Sequence, residues 1–500
     1  MNIKTSSPAR LILTALLLAA LFLTTSFSCI RYQPRPITVQ KSLANYEERR
    51  LDSPELGQFL IANHEVDSWP PAVWDLKSLT LVAFYFNPQL DTARTRWAVA
   101  RAGRLTAAQI PNPVIGPKIG YNSTTPTELI TPWIPEVSLD IPIEVAGKRG
   151  LRISEARHLS DAARFNILAA AWQIRSALRQ ALLDLYTSQK KLSLLEQQAA
   201  VQKELVKLME LRKAAGEVSG YELTQSRLAL ETSQLDLIEA QKVARQAKAN
   251  LASVLGLSPE AIDSAKISFD DFEKVTTDIP SGELRRQALT NRADILSSLS
   301  EYAAAEASLH LEIARQYPDM TLGPNYQLDQ TDNKWAIGLS FELPIFNQNR
   351  GPIAEAEARR REKAAGFLEL QATVISNLEK SIRNAQAAGE KVLLSDQLLQ
   401  NLETQKTVAV RKLQAGEISK YDFLNLNLEL AAMSLTRLET WLEAQQAAIE
   451  LENVLQSPLQ IKDWIYTLDR EAGEAGEAHE DHEAQSQTAA TAREKTKDKK

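Results

Sequence analysis

The side chains that could carry chemistry are few and widely scattered in this chain of 500 residues. Its single cysteine, Cys29, excludes a disulfide framework and any cysteine-rich metal site. The histidines provide little material for a zinc or iron centre; they are His64, His158, His310, His479 and His482. The sequence contains no glycine-rich nucleotide-binding loop. The carboxylates in its helical stretches are typical of solvated helix faces rather than of acid–base pairs. We therefore expect no catalytic site, no cofactor and no resident metal.

The ends of the chain differ in character from its middle. Lys4 and Arg10 precede an apolar stretch from Leu11 to Leu23, which is typical of a signal peptide over residues 1–28. Cys29 follows directly, where a lipoprotein would carry its acylated first residue, although cleavage nearby by an ordinary signal peptidase is the alternative. Residues 29–71 contain several prolines and are predicted to be an extended segment. The low-complexity tail after about residue 469 is predicted to be disordered, so metal binding by its His479 and His482 stays a minor alternative.

The distribution of proline predicts the elements that dominate the chain. Of 21 prolines, none lies in residues 143–258 or 353–457, and both stretches are rich in strong helix formers. Proline breaks helices, so its absence over these distances predicts long helices. Each stretch is interrupted once, by Ala215-Gly216-Glu217-Val218-Ser219 and by Ala415-Gly416-Glu417-Ile418-Ser419, 200 residues apart. We interpret this as an internal duplication in which Gly216 and Gly416 suit a chain reversal, either as helix caps only or, in addition, at a docking surface.

Apolar residues in these stretches recur every seven positions, which predicts coiled-coil packing. The series are Leu178, Leu185, Leu192, Ala199 and Val206, then Leu223, Leu230, Leu237, Ala244 and Leu251, and in the second half Tyr421, Leu428, Leu435, Leu442 and Ile449. Such a repeat forms a seam against neighbouring helices in a left-handed supercoil. The overall charge of −6 argues against a nucleic-acid partner. The sequence therefore predicts a mainly α protein built from long, packed helices.

Two shorter regions alternate strictly between apolar and polar residues. Residues 334–345 do so over their whole length, and residues 136–143 form the equivalent in the first half. This period predicts strands with one apolar face, as in an outer-membrane barrel or a soluble sandwich. Four strands cannot close a barrel, and an open edge in lipid leaves backbone groups unpaired. If the strands lie in a membrane, at least two chains must share a barrel, and three chains would provide twelve strands.

The duplicated motifs resemble the TolC-like outer-membrane efflux protein family, and within it the CzcC-type cation-efflux branch. The resemblance covers about residues 72–458. The matching motifs are Asn87-Pro88-Gln89-Leu90, Pro111-Asn112-Pro113, Ile141-Pro142-Ile143-Glu144, Gly147-Lys148-Arg149, Ala215-Gly216-Glu217-Val218-Ser219, Leu343-Pro344-Ile345-Phe346-Asn347 and Ala415-Gly416-Glu417-Ile418-Ser419. The resemblance implies a homotrimer with a shared 12-stranded β-barrel in the outer membrane and a periplasmic α-barrel below it.

The resemblance and the repeat together divide the chain into six segments. These are a signal peptide (1–28), an extended N-terminal segment (29–71), a first repeat with a strand pair at 112–143 (72–258), a connector (259–280), a second repeat with a strand pair at 318–345 (281–458) and a C-terminal segment with a disordered tail (459–500). Each repeat is expected to contain a helix, two strands, a long helix and a shorter helix.

The resemblance also implies partners and sites. The helical end would dock a periplasmic adaptor and, through it, an inner-membrane pump of the RND type, with metal cations as candidate cargo. The docking tips would contain Arg212, Gly216, Glu217, Arg411, Gly416 and Glu417. A periplasmic gate would contain Glu222 and Asp422, with Asn425 where the family carries a further aspartate. Both carboxylates could instead complement a helix dipole. The alternative function is a periplasmic coiled-coil scaffold or adaptor without a channel.

Overall fold

The computed structural model describes residues 32–63, 69–123, 132–272, 281–329 and 332–459. The chain divides into two units, Met1–Arg49 and Arg50–Lys500. The helices are α1 (Val39–Glu47), α2 (Pro54–Asn63), α3 (Leu76–Phe86), α4 (Pro88–Ala107), α5 (Lys148–Ala214), α6 (Gly220–Leu255), α7 (Ser281–Thr290), α8 (Ala293–Ala314), α9 (Arg350–Gln414) and α10 (Lys420–Leu455). The strands are β1 (Val114–Tyr121), β2 (Trp133–Ile143), β3 (Met320–Asp329) and β4 (Asp332–Phe341).

The first unit is described from residue 32 and contains α1. The Thr38 side chain caps this helix by accepting a hydrogen bond from the Lys41 backbone N–H. Because α1 and α2 are helices, the prediction that residues 29–71 form an extended segment is wrong over these stretches. Prolines occur at intervals in the segment, but helices form between them. Pro54 is the first residue of α2, where its missing N–H costs no hydrogen bond.

The two proline-free stretches form helical hairpins, as predicted. α5 contains 67 residues and α9 contains 65, so each extends about 100 Å at 1.5 Å per residue. Gly147 precedes α5 and Asn349 precedes α9, and both adopt the left-handed conformation. Each helix ends just before a chain reversal at a glycine, Gly216 or Gly416. The shorter partners α6 and α10 contain 36 residues each. The repeat of helix, two strands, long helix and shorter helix is therefore confirmed.

The four strands form one antiparallel sheet in the order β1-β2-β3-β4. Each half contributes one hairpin, and β2 pairs with β3 across the two halves. The prediction that the last strand reaches Ile345 is wrong within one chain, because β4 ends at Phe341. Its partner β3 begins at Met320, which lies opposite Phe341, and Pro318 precedes β3. Residues 342–345 therefore have no strand beside them in the described part of the chain.

The main core lies where the first hairpin meets the short helices α2 and α3. Its fully buried side chains include Leu56, Phe84, Leu178, Leu251 and Phe272. Heptad positions of α5 such as Leu178 and Leu185 are buried in this core, as the seven-residue repeat predicts. Asn87, between α3 and α4, links these helices to α6. Its side-chain amide donates to the Val254 carbonyl at 3.2 Å, while its side-chain oxygen caps α4. The helical hairpins extend from this core.

Ion pairs join the sheet to the helices. Lys148, at the first residue of α5, donates from Nζ to Asp319 Oδ1 at 2.8 Å and to the Tyr317 carbonyl at 2.6 Å. Arg152, one turn later, pairs with Glu144 just after β2. Lys148 is buried, so its charge depends on the Asp319 carboxylate for compensation. These contacts connect the start of α5 to the start of β3 and so position the sheet at the end of the helices opposite the reversals.

Candidate functional site

One face of the sheet is apolar across all four strands. Residues that lie opposite one another on neighbouring strands point to the same side of the sheet. This face contains Ile115, Pro117, Ile119, Tyr121, Trp133, Pro135, Val137, Leu139, Ile141, Leu322, Pro324, Tyr326, Trp335, Ile337, Leu339 and Phe341. No other described residue covers its β4 side: Trp335 is 79% exposed, Ile337 80% and Leu339 58%. Apolar surface of this extent marks contact with a partner or with lipid.

The dimensions of this face match a lipid bilayer. From Trp133 to Ile143, ten steps of about 3.4 Å extend about 34 Å, which a barrel tilt of about 40° reduces to about 26 Å in height. Outer-membrane barrels carry an apolar band of about 25 Å flanked by aromatic girdles. Aromatic pairs lie near the hairpin ends: Tyr121 with Trp133 at 5.0 Å and Tyr326 with Trp335 at 4.7 Å between ring centroids.

The opposite face of the sheet is polar. It contains Lys118, Glu136, Ser138, Asp140, Thr321, Asn325, Gln327, Lys334 and Ser340. Asn325 Nδ2 donates to Glu136 Oε1 at 2.7 Å, and Lys118 Nζ lies 3.6 Å from the same carboxylate oxygen. Alternation of apolar and polar residues with a period of two is the pattern of a barrel strand with one face to lipid and one to an aqueous lumen.

Both edges of the sheet are unpaired among the residues that the structure describes. β1 pairs only with β2, and β4 pairs only with β3, so their outer N–H and C=O groups have no strand beside them within the described residues. A bilayer provides no water to satisfy these groups, and each unsatisfied group costs several kcal/mol. A lipid-exposed sheet of this kind must therefore be completed by strands of other chains.

The reversals between the long helices lie where the sequence predicts them. Gly216 and Gly416 adopt left-handed conformations, with φ of 76° and 75°. The backbone N–H of Glu217 donates to the Arg212 carbonyl at 2.9 Å, and that of Glu417 donates to the Lys412 carbonyl at 2.8 Å. Because a Cβ is disfavoured at such φ values, glycine suits these positions. The chain reversal at both glycines is confirmed, while docking by these tips stays a prediction.

The predicted gate carboxylates form helix caps in the chain. Ser219 and Glu222 form a capping box at the start of α6, in which the Ser219 N–H donates to Glu222 Oε2 at 2.7 Å. Ser419 and Asp422 repeat this arrangement at the start of α10. Asn425 lies one turn further and is half-buried. The Ser-x-x-Glu and Ser-x-x-Asp spacing could have indicated these caps from the sequence.

Hydrogen bonds keep Glu222 charged. The backbone N–H and then the side chain of Ser219 lower the pKa of Glu222, and the Arg212 charge contributes in the same direction. A carboxyl with a depressed pKa is ionised at neutral pH and loses its charge only when the pH falls below its ordinary titration range. Both carboxylates are exposed in the chain. They are therefore charged groups at equivalent positions of the two hairpins, available to ions.

One contact between the two tips was not predicted from the sequence. The Arg212 guanidinium donates to Glu217 Oε2 at 3.1 Å and lies over the Tyr421 ring at 5.5 Å from its centroid. Arg212 ends the first hairpin's long helix, whereas Tyr421 begins the second hairpin's short helix. The equivalent of Arg212 is Lys412, while the predicted docking residue Arg411 is exposed. The pairing depends on tertiary packing, so no sequence motif indicates it.

A buried ion cluster was also missed. Glu452 of α10 lies between Arg175 and Arg179 of α5, and all three side chains are at most 9% exposed. Arg175 Nη1 donates to Glu452 Oε2 at 3.2 Å. Burial lowers the pKa of Arg175, and the Glu452 carboxylate acts against this shift. The three residues lie 277 and 273 positions apart in sequence, so their proximity could not be inferred from spacing.

An apolar stripe on α6 is left uncovered by the other described residues. Leu228, Leu235 and Ile238 are 56%, 68% and 61% exposed. Their equivalents in α10, Leu428, Leu435 and Leu438, are half-buried because α10 packs against α5. The second hairpin therefore has a helical neighbour on a side where the first hairpin has none within the described part of the chain.

Several predicted features lie outside the described residues. The signal peptide, Cys29, and the tail with His479 and His482 are outside the described ranges. Within those ranges, no group of three or more His, Cys, Asp or Glu residues could hold a metal ion. The described helices include none with the length and hydropathy needed to cross a membrane.

Comparison with known proteins gives a consistent result. The family described as "Outer membrane efflux protein" matches residues 85–257 and 284–456, one match in each half. The cobalt-zinc-cadmium resistance protein CzcC of Cupriavidus metallidurans is 24% identical over 376 residues, which cover 74% of this chain and 87% of that protein. The pyoverdine export outer membrane protein OpmQ of Pseudomonas aeruginosa is 26% identical, over 50% of this chain and 54% of OpmQ.

Solved structures share the fold. The outer membrane protein VceC of Vibrio cholerae has a TM-score of 0.63 at 20% identity, covering 77% of this chain and 97% of VceC. The channel CusC has a TM-score of 0.62 at 19% identity, covering 86% of this chain and 99% of CusC. The resemblance stated from the motifs is therefore confirmed.

Proposed function

The chain belongs to the outer membrane efflux protein family, and from this premise we propose that it is the outer-membrane channel of a tripartite efflux system. The observation that carries the proposal is the apolar face of a sheet whose two edges pair with no other described strand. Such a sheet is stable in lipid only as part of a closed barrel. The helices would continue the duct into the periplasm, and cargo would move passively, with the energy supplied by the pump.

Three copies would complete the barrel. Each copy contributes four strands, so three give twelve, whereas one copy cannot reach the eight strands of the smallest known membrane barrels. The uncovered stripe on α6 would then pack against α9 of the next copy, as α10 packs against α5 within the chain. The alternative of a periplasmic scaffold gives no role to a lipid-sized apolar band.

The function is tested by purified protein in planar bilayers together with membrane fractionation. We expect oligomers that dissociate on heating, recovery in the outer-membrane fraction, and ion conductance in the bilayer. A soluble protein that does not conduct would refute the channel and favour the scaffold.

The internal repeat predicts how neighbouring copies pair. Within the chain, Ser138 of β2 lies opposite Asn325 of β3. Residues 141–143 match 343–345, and residues 317–319 match 110–112. Transferring the register places Ser340 of β4 opposite Lys118 of β1 in the next copy. Cysteines at 118 and 340 should then form disulfides and yield covalent trimers on a denaturing gel, because opposite Cβ atoms lie about 5 Å apart.

The matched control for this cross-link moves one cysteine by one residue. Ile119 points to the opposite face of β1, so the pair Ile119→Cys and Ser340→Cys should stay monomeric on the same gel. Covalent trimers from the control, or dimers alone from the Lys118 pair, would contradict the proposed barrel.

The helical tips would dock a periplasmic adaptor. Arg212, Gly216 and Glu217 lie at one tip, and Arg411, Gly416 and Glu417 at the other. Cysteines at positions 217 and 417, both exposed, should capture the adaptor with a bifunctional reagent in whole cells. A cysteine at the exposed Gln348, near the sheet, is the control. Capture from position 348 alone would contradict docking at the tips.

The gate proposal concerns charge at the periplasmic end. In a trimer, Glu222 and Asp422 would provide six carboxylates around the narrowest aqueous passage, which attract cations and repel anions. The double variant Glu222→Gln with Asp422→Asn retains side-chain acceptors for both capping boxes but removes the charge. We expect trimers of normal stability whose cation preference, measured by reversal potential in a salt gradient, is markedly weaker.

The pH dependence of this preference has a defined sign. The depressed pKa of Glu222 keeps its carboxylate charged at pH values where an ordinary glutamate is partly protonated. The cation preference of the wild type should therefore persist into that range and decline only below it. An unchanged preference in an assembled double variant would leave the carboxylates as caps alone.

The names of relatives suggest the cargo. CzcC is named for resistance to cobalt, zinc and cadmium, and OpmQ for pyoverdine export. CzcC is matched over most of its length, so divalent metal cations delivered by an RND-type pump are the proposed cargo. The family and these relatives are transport proteins rather than enzymes. Acylation of Cys29, which would add an anchor in outer-membrane lipid, stays a prediction.

A further inference from the structure

A niche in the helical part of the chain lies over α5, between α6 and α10. Its cavity volume is about 420 Å³. Its apolar lining comes from Val243 and Ala247 of α6 and from Leu438 and Leu442 of α10. Pockets of about 300–1,000 Å³ with an apolar lining and a few polar groups are typical of small-molecule sites. The niche is therefore large enough for a small organic molecule.

The charged groups of the niche sum to one negative charge. Two carboxylates, Asp184 and Glu439, and one ammonium group, Lys191, border it. Lys191 Nζ lies 3.3 Å from Glu439 Oε1, so these two charges compensate each other. Asp184 is half-buried and its Oδ1 accepts a hydrogen bond from Gln180 Nε2 at 2.8 Å, but no described lysine, arginine or histidine pairs with it. The Asp184 carboxylate is therefore available to a cation.

The niche lies on the side of α5 that would face the duct. The other side of α5 is covered by the main core, where the Tyr186 ring lies 5.1 Å from the Phe269 ring and 5.3 Å from the Trp441 ring. Short helices such as α2 and α3 would fill a duct if they lay inside it, so this covered side is the outside of the proposed barrel. Asp184 precedes Tyr186 by two residues, or about 200° of helix rotation, so its side chain points to the opposite side.

The lining suits an organic cation better than a bare metal ion. Divalent metal ions are held by several protein ligands, whereas the niche supplies one carboxylate without an ionic partner beside four apolar side chains. The hydroxyls of Thr187 and Ser188 donate to carbonyls of their own helix, so their protons do not repel a cation in the niche. A cation with an apolar group would pair with Asp184 and remove the apolar lining from water.

We propose that this niche is a binding site for small organic cations that carry an apolar group, with one site in the duct wall of each chain. The location in the duct rests on the channel function proposed above. The cargo that the duct accommodates would then extend beyond bare metal cations. The site is separate from the carboxylates proposed for the gate, which lie at the tips of the hairpins.

The test uses a cysteine in the niche of the full-length protein as a reporter. Asn250 borders the niche and is exposed, so the Asn250→Cys thiol should react with methyl methanethiosulfonate, a small neutral reagent. The probe is benzyltrimethylammonium, which joins a quaternary ammonium group to a phenyl ring. With saturating probe, we expect labelling at position 250, followed by mass spectrometry, to slow by about fivefold or more.

Matched variants and probes separate the two parts of the site. Asp184→Asn keeps the size of the side chain and an acceptor for Gln180 but removes the charge, so it should abolish the protection. Asp236 is exposed on α6 and does not border the niche, so Asp236→Asn should change the protection by less than about twofold. Tetramethylammonium and Mg²⁺ carry charge without an apolar group and should slow labelling by less than about twofold.

A conductance measurement tests the orientation of the niche. Labelling of the Asn250→Cys variant with a bulky maleimide should lower the single-channel conductance in planar bilayers, because the niche opens into the duct. An unchanged conductance after complete labelling would contradict a site in the duct wall. Protection that survives Asp184→Asn, or equal protection by tetramethylammonium or Mg²⁺, would refute the organic-cation site. Trimers that never conduct would refute the channel, while the labelling assay would still decide whether the niche binds the probe.

Discussion

Replacing Leu339 with lysine is expected to prevent stable assembly in the outer membrane, whereas lysine at Ser340 is expected to be tolerated. Leu339 lies within the apolar band, opposite Leu322, and is 58% exposed in the chain. A lysine on the lipid face costs up to about 2–4 kcal/mol in barrel proteins, less toward the edges of the bilayer, and a trimer incurs this cost three times. The measurement is the yield of heat-sensitive oligomers in outer-membrane fractions.

The neighbouring substitution makes the test specific. Ser340 follows directly along β4 and points to the polar face, opposite Thr321. Ser340→Lys adds the same charge to the same strand but places it toward the aqueous lumen, where it is solvated and where water and salt screen its repulsion by Lys118 of the next copy. Equal yields of the two variants would contradict a lipid-facing sheet, since a soluble protein would solvate both lysines.

Replacing Glu452 with glutamine is expected to lower the free energy of unfolding by about 3–5 kcal/mol. The change keeps the size of the side chain but leaves the Arg175 and Arg179 charges buried without a counter-charge, which is the costly way to break a buried ion pair. The shift can be measured as the urea midpoint of the detergent-solubilised protein, followed by circular dichroism.

A carboxylate on the same helix provides the control. Glu443 pairs with Lys391 at 2.6 Å, but both side chains are more than half exposed. Glu443→Gln should change stability by less than about 1 kcal/mol, because exposed ion pairs contribute little. If Glu452→Gln were equally mild, the cluster would be hydrated rather than buried, and Glu452 would contribute little to the packing of α10 against α5.

Much of the fold could be predicted from local sequence. Proline disrupts the interior of a helix, so the two proline-free stretches predicted the hairpin of α5 with α6 and the hairpin of α9 with α10. Glycine tolerates positive φ, so Gly216 and Gly416 predicted the two reversals. Strand alternation predicted the apolar face because successive side chains point to opposite sides. Each of these follows from backbone sterics within a few residues.

The errors arise where pairing or capping decides the outcome. Residues 342–345 continue the alternation of β4, yet the strand ends at Phe341 because β3 begins at Met320 and offers no further partner. The segment from residue 29 to 71 is rich in proline, yet α1 begins after Thr38, whose side chain caps the first turn. Composition describes a segment on average, whereas helix initiation depends on single residues at its start.

The sequence by itself determined the repeat, the long helices, the reversals and the two-faced strands, because these depend on interactions between residues close in the chain. Only the tertiary structure decided that β2 pairs with β3 across the halves, that Arg212 lies over Tyr421, and that Glu452 lies between two arginines of a helix more than 270 residues away. These contacts are set by how the hairpins pack, and the free energy of such packing is shared among many side chains. No local motif carries that information.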